Sequence, residues 1–365
     1  MKKIVFIIDH LKGGGAELMV LNLAAYLYKK GVEINILALD GTNNYIEETK
    51  CFNFIDMSFP NTWLSGKLLI DKPTPTTSIS KMNEVIKKIA PDCIIVTIWY
   101  SFMVLPYIEH ENIWAWSQAD ILPDFSRTNN PIKNIRNKYK DKIFNRKFKE
   151  VFNDKNIITV NNELKLKYLS ILDTKNVITI TNGLDLPFKS SDVLQNKKWD
   201  VIFVGRLSPT KQIDHAIKAF KVSKLEGKML IVGEGPQLKK LKKLVENFKL
   251  QHQVVFKGWV EMHEIPNLIK ESRVLVLPSR TEGYPLVIGE SLTVGTPVVA
   301  YNCSEGISSQ LYTEDMKRGL VQTNDIKALS LTLISILNQP YEIPIDIRSK
   351  YDLNEMTNKF ISVIS

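Results

Sequence analysis

The sequence contains 365 residues, which is more than one compact core normally organises and is typical of two domains. Its composition is globular, with 44% hydrophobic and 24% charged residues, and its net charge of +9 favours anionic partners such as nucleotide phosphates, acidic lipids or nucleic acid. The cysteines Cys51, Cys93 and Cys303 are far apart and form no C-x-x-C pair, which argues against a disulfide framework and a zinc site and fits a reducing cytosol.

The first half of the chain alternates short apolar runs with helical patterns, which is typical of a parallel sheet with crossover helices. Strands are predicted near 3–8, 33–38, 93–97, 113–116, 156–160 and 176–180. Helices are predicted near 15–30, 79–89, 131–152 and 161–171. The opening run resembles a signal peptide, but it is short and ends in Asp9, so it predicts a buried first strand. No segment approaches the roughly 18 apolar residues that span a membrane, so we expect a cytoplasmic protein, at most peripheral to the inner face of the cell membrane.

The second half repeats this architecture without repeating the sequence. Strands are predicted near 200–204, 229–232, 253–256, 273–277 and 297–300, and helices near 211–226, 236–248, 263–271, 285–294, 325–338 and 352–364. The turn signal Asn182-Gly183 and the polar stretch that follows it predict a boundary near 183–198. The sequence therefore predicts an α/β fold with domains at 1–183 and 184–345 and a C-terminal helix within 346–365.

Two glycine clusters follow predicted strands, and neither matches the dinucleotide fingerprint G-x-G-x-x-G. After Gly13-Gly14-Gly15, Leu18 occupies the position of a required glycine. After Gly233 and Gly235, Leu238 does the same. A nicotinamide-dependent oxidoreductase is therefore disfavoured, and taken alone these segments predict only turns between strands and helices.

Basic residues mark the loop after the first strand of the second half. Gly205 allows a tight turn there, and Arg206 and Lys211 follow, with Lys211 about at the start of the next helix. A pyrophosphate at this strand end would meet a guanidinium, an ammonium group and a helix N-terminus. A solvated basic loop is the alternative for this segment by itself.

The most informative segment is 278–290, in which Glu282 and Glu290 lie eight residues apart. A predicted buried strand leads into it, and Pro285 suits the first turn of a helix because a missing N–H costs little there. Free amides at the start of that helix suit a phosphate, and carboxylates suit sugar hydroxyls. The segment therefore offers binding groups for both parts of a nucleotide-sugar.

These segments resemble the E-x7-E signature and phosphate motifs of retaining GT-B glycosyltransferases, in particular glycosyltransferase family 4 (glycosyl transferases group 1). The resemblance covers most of the chain and is strongest from 200 to 311. It implies two Rossmann-like domains facing each other across a cleft, with the last helix packing back on the first domain. It also implies transfer of a sugar from a nucleotide-sugar, with UDP favoured, to a hydroxyl of a glycan or lipid-linked acceptor, in bacterial surface polysaccharide or glycoconjugate synthesis.

The resemblance also implies roles for particular residues. Arg206 and Lys211 would neutralise the departing diphosphate, Glu282 would hold donor-sugar hydroxyls, and Glu290 would hold the ribose. The further implied donor contacts are Gly14, Gly15, Gly205, Gly233, Gly235, Trp259, Val260, Gly283, Tyr284, Pro285 and Leu286. Because no D-x-D triplet occurs, we expect no metal ion and no cofactor, with the nucleotide-sugar acting as a substrate.

One position departs from the family pattern. Relatives often carry a histidine near the reacting sugar, and the matching position here is Gln118. Glutamine can hydrogen-bond a sugar hydroxyl but cannot change charge with pH. His10 and Asp120 are therefore kept as further candidates for sugar or acceptor contacts, and a non-catalytic nucleotide-sugar-binding subunit stays open as an alternative.

A basic segment at 133–149 interleaves lysines and arginines with aromatic and aliphatic residues at roughly helical spacing. Such a segment suits a surface that binds anionic lipid, and a solvated helix packing its apolar side inward is an equal alternative. Nucleic-acid binding is disfavoured because no recognised binding module is present.

Overall fold

The computed structural model describes residues 2–66, 73–122, 131–174, 176–185 and 197–364, apart from the side chains at 131 and 133. The chain divides into two compact units. The first consists of Met1–Gly183 and Leu353–Ser365, and the second is Leu184–Asp352. Both units are α/β with an entirely parallel sheet, which is the Rossmann-like architecture that the sequence predicts.

The first unit has a seven-stranded sheet in the order β3-β2-β1-β4-β5-β6-β7. Its strands are β1 Lys3–Ile8, β2 Glu33–Ala38, β3 Asn53–Asp56, β4 Cys93–Thr97, β5 Ile113–Ser117, β6 Asn156–Thr159 and β7 Val177–Thr179. Its helices are α1 Gly15–Lys29, α2 Ile46–Thr49, α3 Thr76–Ile89, α4 Pro131–Phe152, α5 Asn162–Leu169 and, from the chain end, α12 Leu353–Ile364, with a 3₁₀ segment at Trp99–Tyr107.

The second unit has a six-stranded sheet in the order β10-β9-β8-β11-β12-β13. Its strands are β8 Trp199–Val204, β9 Met229–Val232, β10 Val254–Gly258, β11 Ser272–Leu277, β12 Val298–Tyr301 and β13 Leu320–Val321. Its helices are α6 Ile213–Ser223, α7 Leu238–Asn247, α8 Ile265–Lys270, α9 Leu286–Thr293, α10 Glu305–Ser308 and α11 Ile326–Asn338. Short 3₁₀ turns lie at Pro209–Lys211, Met262–Glu264, Met316–Gly319 and Ile347–Tyr351.

The central strands are apolar on both faces because helices cover both sides of a parallel sheet. In β1 the residues from Ile4 to Ile8 are all buried, and β4 and β5 are buried along their whole length. The edge strand β3 has exposed ends instead, which fits its place at the margin of the sheet.

The second unit extends to Asp352, beyond the predicted end at 345. Its last turn is held there because Ile347 and Tyr351 are buried and the Leu184 N–H donates to the Tyr351 carbonyl at 2.8 Å. The C-terminal helix therefore begins at Leu353 and belongs to the first unit.

In the first unit, helix α12 buries Met356 and Phe360. The Phe360 ring meets the buried Trp116 ring of β5 edge to face, with centroids 4.8 Å apart. No helix in the described part of the chain has both the length and the apolar character needed to cross a membrane.

Candidate active site

The central feature of the second unit is the carboxyl edge of its sheet, where β8 and β11 lie side by side. The strand order runs outward in opposite directions from this pair, which makes it the topological switch point where open α/β sheets bind ligands. The loop after β8 carries Arg206 and Lys211, and the loop after β11 carries Glu282.

Lys211 and Glu282 meet across the switch point. The Lys211 Nζ donates to the Glu282 Oε1 at 2.5 Å, and the two side chains are 26% and 10% exposed. The two loops are also joined through the backbone, because the Arg280 N–H donates to the Thr210 carbonyl at 2.9 Å. The structure therefore unites two predicted site residues that are 71 positions apart in sequence.

The sequence predicted Lys211 at about the start of the following helix, but the structure places it before that helix. It ends the 3₁₀ turn Pro209–Lys211, and Gln212 adopts a left-handed conformation with φ of 45° before α6 begins at Ile213. With this backbone conformation, the lysine side chain reaches the loop after β11. Arg206 lies earlier in the same loop and is exposed.

Two glycines hold neighbouring loops in close contact. A Cβ on Gly233 would lie 2.1 Å from the Gly205 carbonyl oxygen, and a Cβ on Gly235 would lie 2.6 Å from the Leu207 carbonyl oxygen. Both Gly233 and Gly235 also have positive φ angles, of 122° and 156°. Only glycine therefore fits at either position without strain.

Backbone hydrogen bonds complete this arrangement. The Leu207 N–H donates to the Glu234 carbonyl at 2.7 Å, and the Gly233 N–H donates to the Gly258 carbonyl at 2.7 Å. The loops after β8, β9 and β10 thus form one continuous surface, which we call the glycine platform (205–207, 233–237 and 258–260). Trp259 lies on this platform with its side chain 61% exposed, whereas Val260 is buried.

The segment after β11 is held by contacts with α10 and with Gln310, which follows α10. A Cβ on Gly306 would lie 1.6 Å from the Gly283 carbonyl oxygen, so α10 packs directly on that loop. The buried Gln310 amide donates to the Gly306 carbonyl at 2.6 Å and to the Pro285 carbonyl at 3.4 Å. The side chains of Tyr284 and Pro285 are buried, and Leu286 is half-buried at the first position of α9.

Glu290 lies in the second turn of α9, and its environment changes its ionisation. Glu290 is half-buried, and its removal from solvent raises the pKa of its carboxyl to about 7; no hydrogen bond or ion pair from the described residues reaches this carboxyl. Such a carboxyl group would be stabilised by a new hydrogen-bond donor.

Sequence reasoning missed Cys303 near the same loops. Burial and the charge of Glu282 raise the pKa of the Cys303 thiol to about 12, so the thiol stays protonated beside the Lys211–Glu282 pair. A lone cysteine after a strand carries no signal of this proximity in the sequence.

The first unit has its own cluster at the carboxyl edge, where β1 and β4 form the switch point. The buried Asp9 after β1 accepts N–H bonds from Tyr100 at 2.9 Å and Ser101 at 2.6 Å. Burial raises the pKa of Asp9 to about 6 against the effect of these two bonds. Ile98 enters this turn with φ of 73°, a strained conformation for a β-branched residue, and Trp99 beside it is 48% exposed.

The predicted candidates of the first unit are placed around this turn. His10 lies 3.6 Å from the carboxylate of the buried Glu17, and the Gln118 amide donates to the Ala16 carbonyl at 3.2 Å. Helix α1 starts at Gly15, and the Gly14 N–H faces the Tyr45 hydroxyl at 3.4 Å.

Asp120 contacts other residues than these candidates. It pairs with Lys167 and accepts from the Leu122 N–H at 3.0 Å, which are bonds that fix the loop after β5. Among the residues that the structure describes, no three His, Cys, Asp or Glu side chains gather to hold a metal ion.

Residues 187–354, nearly the whole second unit, match the family model of glycosyl transferases group 1. The second unit is therefore similar to a group 1 glycosyltransferase domain. Arg206, Lys211, Glu282 and Glu290 all lie inside the matched residues.

Two relatives and one solved structure extend the comparison. An uncharacterized glycosyltransferase of Haemophilus influenzae is 27% identical over 93% of this chain and 92% of its own length. A putative colanic acid biosynthesis glycosyltransferase, WcaL of Escherichia coli, is 33% identical over 37% of this chain and 35% of its own length. The structure of Anabaena Alr3699/HepE in complex with UDP-glucose is similar with a TM-score of 0.75 and 18% identity, covering 100% of this chain and 99% of that one.

These similarities confirm the GT-B fold class, with two Rossmann-like α/β units. They also support a glycosyltransferase family for the chain, with relatives in polysaccharide synthesis.

Proposed function

We propose that this protein is a retaining glycosyltransferase of family 4, which transfers a sugar from a UDP-sugar to a hydroxyl of a glycan or lipid-linked acceptor. The observation that carries the proposal is the Lys211–Glu282 pair at the switch point of a group 1 domain. It places a cation for phosphate beside an acceptor for sugar hydroxyls. UDP-glucose in the similar Anabaena structure supports the donor class, and the colanic acid relative supports a surface polysaccharide as the product.

The proposed reaction breaks the bond between the sugar C1 and the β-phosphate oxygen and forms a bond from C1 to the acceptor oxygen on the same face. The proton of the acceptor hydroxyl passes to the departing phosphate oxygen. Arg206 and Lys211 stabilise the charge that develops on the diphosphate, and Glu282 orients the donor sugar. In this proposal the nucleotide lies against the glycine platform and the exposed Trp259.

We propose that the reaction needs no metal ion and that the protein carries no cofactor. The support is the presence of two cations, Arg206 and Lys211, in the loop next to the switch point, because they can take over charge neutralisation.

A non-catalytic nucleotide-sugar-binding subunit is the second candidate function. The observation that favours it is Gln118, whose amide bonds the Ala16 carbonyl and has no titratable group to offer a reacting sugar. This candidate would retain donor binding in the second unit and lack turnover.

We propose a cytoplasmic location, peripheral to the inner face of the cell membrane, with the basic segment 133–149 toward anionic lipid. The support is its charge: the segment contains one acidic residue, Asp141, against lysines and arginines along its length. Lipid-linked acceptors lie at that surface.

The deciding experiment incubates the protein with a panel of nucleotide-sugars and NADH and follows nucleotide release, with and without EDTA. A retaining transferase releases UDP from one UDP-sugar, and NMR shows the same anomeric configuration in donor and product. Melting-temperature increases with UDP but no turnover would favour the binding subunit, and a response to NADH alone would favour an oxidoreductase. Loss of turnover in EDTA that a divalent ion restores would contradict the metal-free mechanism.

A further inference from the structure

Helix α4 carries an exposed apolar stripe. The sequence pattern alone did not show which of the apolar residues of this helix are exposed and which are buried. Ile132, Ile135, Tyr139 and Ile143 are 79%, 73%, 69% and 39% exposed. Their spacing of three and four residues places them on one face of the helix. We call this set the α4 stripe.

The other half of the same helix is anchored in the first unit. Phe148, Val151 and Phe152 are buried in its core, and the Phe148 and Phe152 rings lie 4.6 Å apart. The helix is therefore fixed at its C-terminal end while its N-terminal half presents large apolar side chains to the outside. The C-terminal half fits the second alternative from the sequence, a helix that packs its apolar side inward, and the N-terminal half does not pack in this way.

Basic side chains border the α4 stripe. Each residue of an α-helix is rotated by about 100° from the one before it. On this basis Arg136 and Lys140 lie on one side of the stripe, and Lys138 and Lys142 lie on the other. None of these four forms an ion pair within the described residues. We call them the α4 cations.

The charges farther along the helix differ. Arg146 and Lys147 pair with Glu150, and Lys149 pairs with Asp173. Asp141, the one acidic residue of 131–149, lies opposite the stripe on the helix. As far as the described residues show, positive charge without an ion-pair partner is thus concentrated around the exposed apolar side chains.

We propose that the N-terminal half of α4 lies in the interface of an anionic bilayer, with the α4 stripe inserted among the lipids and the α4 cations at the headgroups. An apolar face bordered by lysine and arginine is the arrangement that favours this position. Charge complementarity selects anionic lipid over a second copy of the chain, because two such faces would bring their cations together. The inference rests on the proposed function for its biological purpose, since a lipid-linked acceptor would lie at the same surface.

The test measures co-sedimentation with vesicles of phosphatidylcholine alone or with about 30 mol% phosphatidylglycerol, at about 50 mM and about 500 mM salt. The wild type should bind the anionic vesicles and bind them less at high salt. Replacing Ile132, Ile135 and Tyr139 by Ser should weaken binding at low salt about tenfold or more, because the insertion of apolar surface is lost. Replacing the four α4 cations by Gln should also weaken binding and remove most of its salt dependence.

Matched controls exist within the chain. Ile46, Leu166 and Leu331 are 65%, 66% and 58% exposed elsewhere, so their triple replacement by Ser removes a similar apolar surface. Helix α7 has four exposed lysines without an exposed stripe, at 239, 240, 242 and 243, so their replacement by Gln removes the same charge. Both control variants should bind vesicles like the wild type.

Three results would overturn the inference. They are wild-type affinity in the stripe variant, no binding of the wild type to anionic vesicles at low salt, and a dimer in sedimentation velocity that the stripe variant dissociates. Vesicle binding needs no turnover, so the Glu282→Ala variant should bind like the wild type. A failed transferase assay with intact vesicle binding would then count against the proposed function alone.

Discussion

At the scale of single residues, the chemistry proposed for the second unit depends on one ion pair between two loops. Lys211 and Glu282 are only 26% and 10% exposed, so the contact is largely removed from solvent screening. If the diphosphate binds the Lys211 ammonium group and the sugar hydroxyls donate to the Glu282 carboxylate, each side chain replaces its contact in the ion pair by a contact with the substrate. The site is then built before the substrate arrives.

Replacing Glu282 or Arg206 by Ala should lower turnover by about 10²–10³, because one preorganised charged contact is worth about 2–4 kcal/mol in the transition state. The melting temperature should stay near the wild-type value for Arg206→Ala, whose side chain is exposed. Steady-state kinetics with the donor found in the panel provides the measurement. Glu226, which is exposed and outside the site loops, gives the matched control as Glu226→Ala. Near-wild-type turnover in a folded Glu282→Ala or Arg206→Ala variant would remove that residue from the mechanism.

Glu290 should couple nucleotide binding to proton release. Burial raises its pKa from 4.5 to about 7, so near neutral pH the free protein holds part of a proton there. Ribose hydroxyls that donate to the carboxylate favour its ionised form, so UDP binding should release a fraction of a proton. Calorimetric titration in buffers of different ionisation enthalpy measures this release, and Glu290→Gln should abolish it.

The same group predicts a pH dependence of stability. The folded-state pKa is above the unfolded value of 4.5, so folding takes up a proton between 4.5 and about 7, and stability falls as the pH rises through that window. The full effect is at most about 3 kcal/mol, because Glu290 is only half-buried and solvent screens part of it. Denaturant titrations of Glu290→Gln should lack this part of the decline; an unchanged pH profile would show that Glu290 is not the responsible group.

At the scale of elements, the close packing of loops decides the shape of the glycine platform, the surface proposed to bind the nucleotide. Gly233→Ala should cost about 2–4 kcal/mol, since a Cβ would lie 2.1 Å from the Gly205 carbonyl oxygen and φ is 122°. UDP affinity should fall with it, because the glycine platform must separate to admit the methyl group. Chemical denaturation and a UDP titration measure the two effects.

Gly295 supplies the control for backbone strain alone. Its φ is 80°, and a Cβ there would have nothing within 4 Å, so Gly295→Ala should cost about 1–2 kcal/mol and leave UDP affinity unchanged. Equal losses in the two variants would mean that strain, and not the contact between loops, explains the glycine at 233.

The sequence predicted most of the long elements but not the contacts between them. The central strands were predictable because they are continuous apolar runs, such as Ile4 to Ile8. Strand β3 was missed because Asn53-Phe54-Ile55-Asp56 is short and polar at both ends, and β13 because it has two residues. Helix α3 begins at Thr76 rather than near 79, since polar residues fill its first turn.

The candidate site shows the same limit. Arg206, Lys211, Glu282 and Glu290 stand in recognisable motifs, so the sequence could nominate them. That Lys211 reaches Glu282 depends on β8 and β11 being neighbours, which follows from sheet order and not from either motif. The Asp9 turn could not be predicted, because nothing in the sequence suggests a positive φ at Ile98.

At the scale of the whole molecule, one of the two folded units is not a continuous segment of the chain. The first unit contains 1–183 together with the last helix, so the second unit is inserted between two parts of it along the chain. Within the first unit, the Met356 sulfur lies 3.1 Å from the Gly183 nitrogen, next to the point where the chain leaves. The end of the chain thus completes the core that its beginning starts.

Phe360→Ala should therefore destabilise the first unit specifically. The side chain is fully buried, and its ring lies 4.8 Å from that of Trp116, so truncation should cost about 3–5 kcal/mol. Hydrogen exchange read by peptide should show lost protection in 1–183, while UDP still protects the loops of 205–211 and 278–286. Lys359→Ala on the same helix removes only an exposed pair with Glu355 and should change protection little. Equal loss of protection in 184–352, or none in 1–183, would contradict the assignment of the last helix to the first unit's core.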